Sequence, residues 1–338
     1  MQVLVTGATG FVGAAIAREL SRRGHAVRVL ARPSSDLSVL DGVGAEVVRG
    51  DILDPAPVRA ALAGCGGVVH TAGVATLRPG MRETLLAVNA RGVEVVLGAA
   101  LDAGVSRAVL TSSVSALGGS RTPHAADEAA PSNAEALGID YFVSKLRREQ
   151  TGLALARRGL PLVVVRPGYV LGPGDVHGTS ASTVLAVVRR RIPAYVEGGA
   201  SFCHVDDVAR GHVEALERGR AGEVYHLGGH NLLMSEFMAR VARQAGMKPP
   251  TRLPVPVALA MAVASRWAAR LGVSRPAGTV DLVRASALYT FVTSAKAERE
   301  LGYSIRPFDD MVRDTLRWYV AKGKLRPDTA ELRALATG

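Results

Sequence analysis

At 338 residues, 48% hydrophobic and 21% charged, the chain has the balance of a folded globular protein and room for one large domain or two unequal lobes. It starts directly as a strand rather than a leader, and no run offers the roughly 20 uncharged apolar residues of a stable membrane insertion. A net charge of +11 invites anionic partners, yet there is no recognisable nucleic-acid module and only 4% aromatic residues, so no nucleic acid is expected and runs such as Arg147-Arg148 read as solvated. Cys65 and Cys203 are far apart, which fits a disulfide-free protein of the reducing cytoplasm.

In chain order, Val3-Leu4-Val5 is a short apolar run before glycines and predicts a buried parallel strand. The spacing of Val12, Ile16 and Leu20 predicts a helix over 11–23, closed by Gly24. Strands follow at 27–30, 46–48, 68–70, 108–110 and 162–165, with helices at about 57–63, 83–103 and 141–158 between them. This alternation predicts an α/β fold, a Rossmann-type doubly wound parallel sheet with right-handed crossovers, over residues 1–166. After Arg166 the pattern becomes shorter and richer in Pro and Gly. Residues 167–338 are expected to form mainly a smaller substrate-binding lobe over the carboxyl ends of the strands, some segments returning to the core. One stretch, Val255 to Leu271, is unusually apolar and reads first as a buried or lid helix, with a dimer face or a membrane-surface helix as alternatives.

Gly7, Gly10 and Gly13 follow the first strand and open the first helix. That context suits a phosphate-binding turn: the first glycine turns out of the strand, the second admits a pyrophosphate and the third lets helix and strand pack closely. The helix N-terminus then presents free N–H groups to the anion. At the end of the second strand, where an acidic residue would hold the ribose hydroxyls of NAD, the chain has Ala31 followed by Arg32, Ser34 and Ser35. Arg32 can clamp a 2′-phosphate, which favours NADP(H); Asp36 lies near enough to keep NAD(H) open.

Tyr141 and Lys145 are four residues apart and share one helix face. A phenol is a poor acid at neutral pH unless a neighbouring ammonium favours the phenolate, and Lys145 is expected to do this. Ser113, at the end of the strand LTSS, is the best-placed hydroxyl to hold a substrate oxygen, and Ser112 would point the other way. His70, His204 and His212 lack metal-ligand spacing and read as structural, so no metal is expected. Asp206 and Asp207 read as N-cap residues and Cys203 as a small packer.

Taken together, TGATGFVG, GDILD, HTAG, VNARG, TSS, YFVSK, RPG and HVDDVARGH occur in an order that resembles the extended short-chain dehydrogenases/reductases of the NAD-dependent epimerase/dehydratase superfamily. The resemblance covers nearly the whole chain. It implies that Gly7, Gly10, Phe11 and Val12 line the pyrophosphate, Arg32 meets the adenosine ribose phosphate, Asp51 and Ile52 flank adenine, and Ala72, Gly73 and Pro167 lie toward the nicotinamide. It also implies a catalytic triad of Ser113, Tyr141 and Lys145, with Lys145 on the cofactor ribose, and a homodimer formed through the helices near 83–103 and 141–158. Ala200 stands where nucleotide-sugar enzymes often carry an arginine, and Val114 where dehydratases often carry an acid. These departures favour a dihydroflavonol-reductase-like carbonyl reductase acting on a fairly apolar small molecule. A hopanoid-associated sugar epimerase-like enzyme is the alternative, and a catalytically silent nucleotide sensor a lesser one.

Overall fold

The structure, a computed structural model, describes residues 1–270 and 279–337. Six parallel strands come in chain order: β1 (Gln2–Thr6), β2 (Ala26–Ala31), β3 (Glu46–Arg49), β4 (Gly67–His70), β5 (Arg107–Thr111) and β6 (Leu162–Pro167). The chain then makes β7 (Tyr169–Leu171), β8 (Ala194–Val196) and β9 (Gly199–His204) before returning to the sheet with β10 (Val224–Leu227). The order across the sheet is β10-β6-β5-β4-β1-β2-β3, a Rossmann-type arrangement. It reverses between β1 and β4, and the crevice beyond that switch point is where open α/β sheets hold ligands. Register pairs Thr6 with both Leu30 and His70, and Thr111 with Val165, so these strand ends form one rim.

Alternation along β1 explains the two layers. Val3 and Val5 point into a core with Ile16 and Leu20 of the helix Phe11–Arg22 and Val208 and Val213 of the helix Val205–Arg218. Leu4 points the other way, into a second core with Val58, Val93, Val96 and Leu155. The smaller sheet centres on β9, which pairs with β7, with β11 (His230–Leu233) and with the short strand Tyr289–Thr290. Its core is aromatic: Phe202 stacks on Phe237 with centroids 4.5 Å apart, and Phe308 meets both rings nearly edge-on.

Three expectations need correction. The helix over 83–103 is helical from Arg82 to Asp102, but Ala87–Arg91 is a π turn between α-helical Arg82–Leu86 and Gly92–Asp102. By length and mean hydropathy (1.5) this run would suit a membrane, yet it packs against the helices Pro55–Leu62 and Asp140–Arg157. Asp206 and Asp207 do not cap the helix Val205–Arg218; the buried His204 imidazole does, accepting from Asp206 N at 3.1 Å, because it precedes the first turn in extended conformation. Asp207 is buried instead and holds Arg210 and Arg306. Finally, the apolar helix Val255–Arg270 is not a buried one: from Val255 to Ala268 only Ala262 is buried. Leu271, its expected last residue, lies outside the described residues.

Candidate active site

The turn after β1 is built by exclusion of side chains. Gly7 has φ +76°, and a Cβ there would stand 2.6 Å from the Ala72 backbone nitrogen; a Cβ on Gly13 would run into the Gly7 carbonyl. Gly10 N donates to Gly7 O at 2.9 Å, tightening the turn. The helix it opens has no side-chain cap, so the first-turn N–H groups of Phe11, Val12 and Gly13 are left for a ligand. A cradle that any side chain would fill, beneath a free helix N-terminus, fits a dinucleotide pyrophosphate. His177, from the segment after β7, reaches the same turn and donates to Thr9 O at 3.0 Å.

At the other end of the crevice, Ala31 closes β2 in the core and Arg32 follows with its guanidinium exposed. A second arginine stands beside it: Arg49 Nη1 donates to Arg32 O at 3.0 Å and to Ser35 O at 3.4 Å. The Asp36 carboxylate is turned into its own loop, where Ser38 N and Ser38 Oγ donate to it at 2.9 Å and hold its pKa below the usual range. Asp51 lies at the end of β3 and accepts from Leu53 N at 2.9 Å, while Ile52 packs over Gly92, 2.8 Å from where a Cβ would be. Pro167 ends β6, buried, and a Cβ on the next residue, Gly168, would strike the Ser201 carbonyl.

Tyr141 and Lys145 lie on the helix Asp140–Arg157, with Lys145 Nζ 5.7 Å from the Tyr141 ring centre. Ser113 begins the short turn after β5, its Oγ accepting from Ser115 N at 3.1 Å. Burial raises the Tyr141 pKa, more than the hydroxyls of Ser113 and Ser115 and the charge of Arg148 lower it. Arg148 is a cation that the spacing of Tyr141 and Lys145 does not point to, and its charge lowers the phenol pKa. Lys145 is itself pushed down to about 7, first by burial and then by Arg148. Ser112 points away from this cluster and donates to Glu149 at 2.7 Å.

Three residues that spacing alone does not reveal hold the site together. Arg148 is fully buried and donates through Nε to Thr111 O (2.7 Å), through Nη1 to Ala72 O (2.8 Å) and through Nη2 to His70 O (3.0 Å). It thereby ties β4 to β5 beneath the site, and burial brings its own pKa down to about 9. Asn89, buried in the π turn, accepts from Val74 N and donates to Val74 O, each at 2.9 Å, and donates to Ser144 Oγ at 3.0 Å. It pins the loop of Ala72 and Gly73 to the catalytic helix; π turns recur at such functional positions. Glu149 pairs with Arg166, whose Nη1 donates to His226 Nε2 at 3.1 Å, linking that helix to β6 and β10. Ser115, the second hydroxyl on Tyr141, is visible in the sequence only as one of several serines.

The remaining imidazoles serve the frame. His70 Nδ1 shares a hydrogen bond with Thr6 Oγ1 at 2.7 Å; His212 donates to Val208 O at 2.7 Å and accepts from Thr111 Oγ1 at 2.9 Å. Among the described residues no group of His, Cys, Asp and Glu stands ready to hold a metal ion.

Known proteins were compared with this chain. A Synechocystis sp. protein named for dihydroflavonol 4-reductase is 34% identical over 329 residues, 95% of each chain. A 4-hydroxy-2-methyl-3-oxo-4-farnesyl-3,4-dihydroquinoline-1-oxide ketoreductase of Stigmatella aurantiaca is 31% identical, covering 94% of this chain and 96% of its own. A solved nucleoside-diphosphate-sugar epimerase from Pseudomonas aeruginosa superposes with TM-score 0.80 at 28% identity, covering 96% of this chain and 99% of its own. The family model that matches residues 3–228 spans the glycine turn, the Tyr141–Lys145 helix and β10, and on that match the chain belongs to the NAD dependent epimerase/dehydratase family.

Proposed function

We propose that the protein is an NADPH-preferring reductase of a ketone or aldehyde on a fairly apolar small molecule. The observation that carries this reading is the end of β2: Arg32 is exposed, Arg49 is held beside it and Asp36 is engaged in its own turn. Two guanidinium groups, neither of them ion-paired among the described residues, suit a 2′-phosphate better than ribose hydroxyls. The glycine turn and Lys145 would hold a nicotinamide cofactor in this crevice, and in its reduced form it would supply the hydride for the substrate carbon. Tyr141 then protonates the nascent alkoxide oxygen from its phenol, which burial keeps protonated. Ser113 holds that oxygen, and Lys145 binds the ribose hydroxyls.

Ala200, buried in β9, leaves no arginine for a sugar diphosphate at that position. The relative named as a farnesyl-quinoline ketoreductase supports a bulky apolar ketone. The epimerase reading is favoured by the similarity to the Pseudomonas structure and by the family model, which names epimerases. Titration with NADPH and NADH, followed by nicotinamide fluorescence, separates the two. NADPH binding at least about tenfold tighter, about 1.4 kcal/mol, supports the reductase. Equal or tighter NADH binding, or protein purified with NAD already bound, overturns it.

A further inference from the structure

The helix Val255–Arg270 presents its apolar side to solvent. Placed at 100° per residue, Pro256, Val257, Ala260, Met261, Val263, Ala264 and Trp267 fall within an arc of about 160°, and all seven are exposed. The larger ones are well exposed: Val257 46%, Met261 58%, Val263 38% and Trp267 56%. Arg266 lies about 60° beyond the arc, and Leu282, 44% exposed, lies on the adjoining helix Val280–Ser286. Singly exposed apolar side chains need no explanation, but a helix with this arc outward does.

Charge says what covers it. Between Glu236 and Asp281 the chain has seven basic residues and no acidic one, against a net charge of +11 for the whole. Arg240 and Arg243 pair with Asp309, Arg252 pairs with Glu197, and Asp281 on the adjoining helix pairs with Arg284; the helix itself carries Arg266 and Arg270 in its sequence and no acidic residue. A tryptophan and a methionine among small apolar residues, on a helix with arginines and no carboxylate of its own, are complementary to an anionic lipid surface. The helix has 16 residues, too short to cross a bilayer, and suits lying in its interface. A second copy of the chain is the poorer fit, because two such segments would bring like charges together.

We propose that this arc docks the protein on an anionic lipid surface, the helix Val255–Arg270 lying in the headgroup region. The inference does not depend on the reductase reading. The full-length protein is sedimented with vesicles of phosphatidylglycerol and phosphatidylcholine in equal parts, and with phosphatidylcholine alone. The expected result is binding to the mixed vesicles about tenfold stronger than to the neutral ones, weakening as salt is raised. The double variant Val257→Ser, Met261→Ser changes no charge and sits at exposed positions, and it should lose about tenfold in vesicle binding while keeping its melting temperature and NADPH affinity. No binding to the mixed vesicles at low salt overturns the proposal, as does full binding by the double variant. A dimer in lipid-free buffer that the double variant breaks also overturns it, assigning the arc to a second copy.

Discussion

Replacing Arg148 with methionine tests whether one buried cation sets the protonation of Lys145. A methyl group placed on Gly73 would stand 3.3 Å from Arg148 Nη1 and 3.7 Å from Lys145 Nζ, so the two cations are no more than about 7 Å apart. At an effective dielectric constant of about 20, their repulsion is at least about 2 kcal/mol, or about 1.5 pH units. Burial is the larger cause of the Lys145 shift to about 7 and survives the substitution. Arg148→Met should therefore raise the Lys145 pKa by about 1.5 units and leave it below the ordinary lysine value. With only five lysines in the chain, ε-13C-lysine NMR can follow each titration, and Lys145→Arg identifies the signal. Arg148→Lys keeps the charge and should leave the Lys145 pKa within about half a unit of the wild type. Arg148→Met also removes three hydrogen bonds to backbone carbonyls and should lower stability by about 3 kcal/mol in urea unfolding. Lys145 titrating near 10.5 in the wild type, or not moving in Arg148→Met, would refute the reasoning.

Tyr141→Phe should cut turnover by about 10²- to 10⁴-fold with NADPH affinity unchanged; equal turnover would remove Tyr141 from proton transfer. Arg49→Ala should weaken NADPH binding by about tenfold and leave NADH binding alone, a charge-assisted contact being worth about 1.5–3 kcal/mol, as read by fluorescence titration. Gly13→Val should abolish binding of either nucleotide in the same assay, because its Cβ collides with the Gly7 carbonyl. His212 and His226 are held down to about 4 and His204 to about 3, all first by burial. The unfolded chain therefore binds more protons below the ordinary histidine value of about 6.5, and stability must fall as pH drops from there toward 4. Near pH 5 these three alone should give a slope approaching three protons, about 4 kcal/mol per pH unit, and His70, also held well down by burial, adds to it; urea midpoints at several pH values measure it, and a slope below one proton would contradict it.

The glycine turn was legible because backbone geometry imposes it: only residues without a side chain fit at Gly7 and Gly13, whatever packs around them. Tyr141 and Lys145 were legible because one helix carries both. Arg148 was not, since the same helix places it in a run, KLRRE, that reads as solvated. It is buried because carbonyls from two separate strands converge on it, a fact of tertiary structure. The Val255–Arg270 helix misled for the opposite reason: apolarity states that a face wants covering, yet Val257, Met261, Val263 and Trp267 are exposed. Asp207 likewise reads as a helix-start carboxylate, and its burial depends on Arg306, about a hundred residues downstream.

The π turn at Ala87–Arg91 makes the run from Arg82 to Asp102 one residue richer than regular winding requires. Deleting a single residue there would leave a continuous helix, improved in its own hydrogen bonding. The segments on either side would keep nearly the same mutual rotation, because five residues of a π turn sweep about as far as four of an α-helix. The widened turn that carries Asn89 to Val74 and Ser144 would be gone, however, and the wall of Ala72 and Gly73 would lose its tether. The helix is therefore a place where a shortened chain would fold better and work worse, so a one-residue gap is tolerable to the scaffold and not to the crevice.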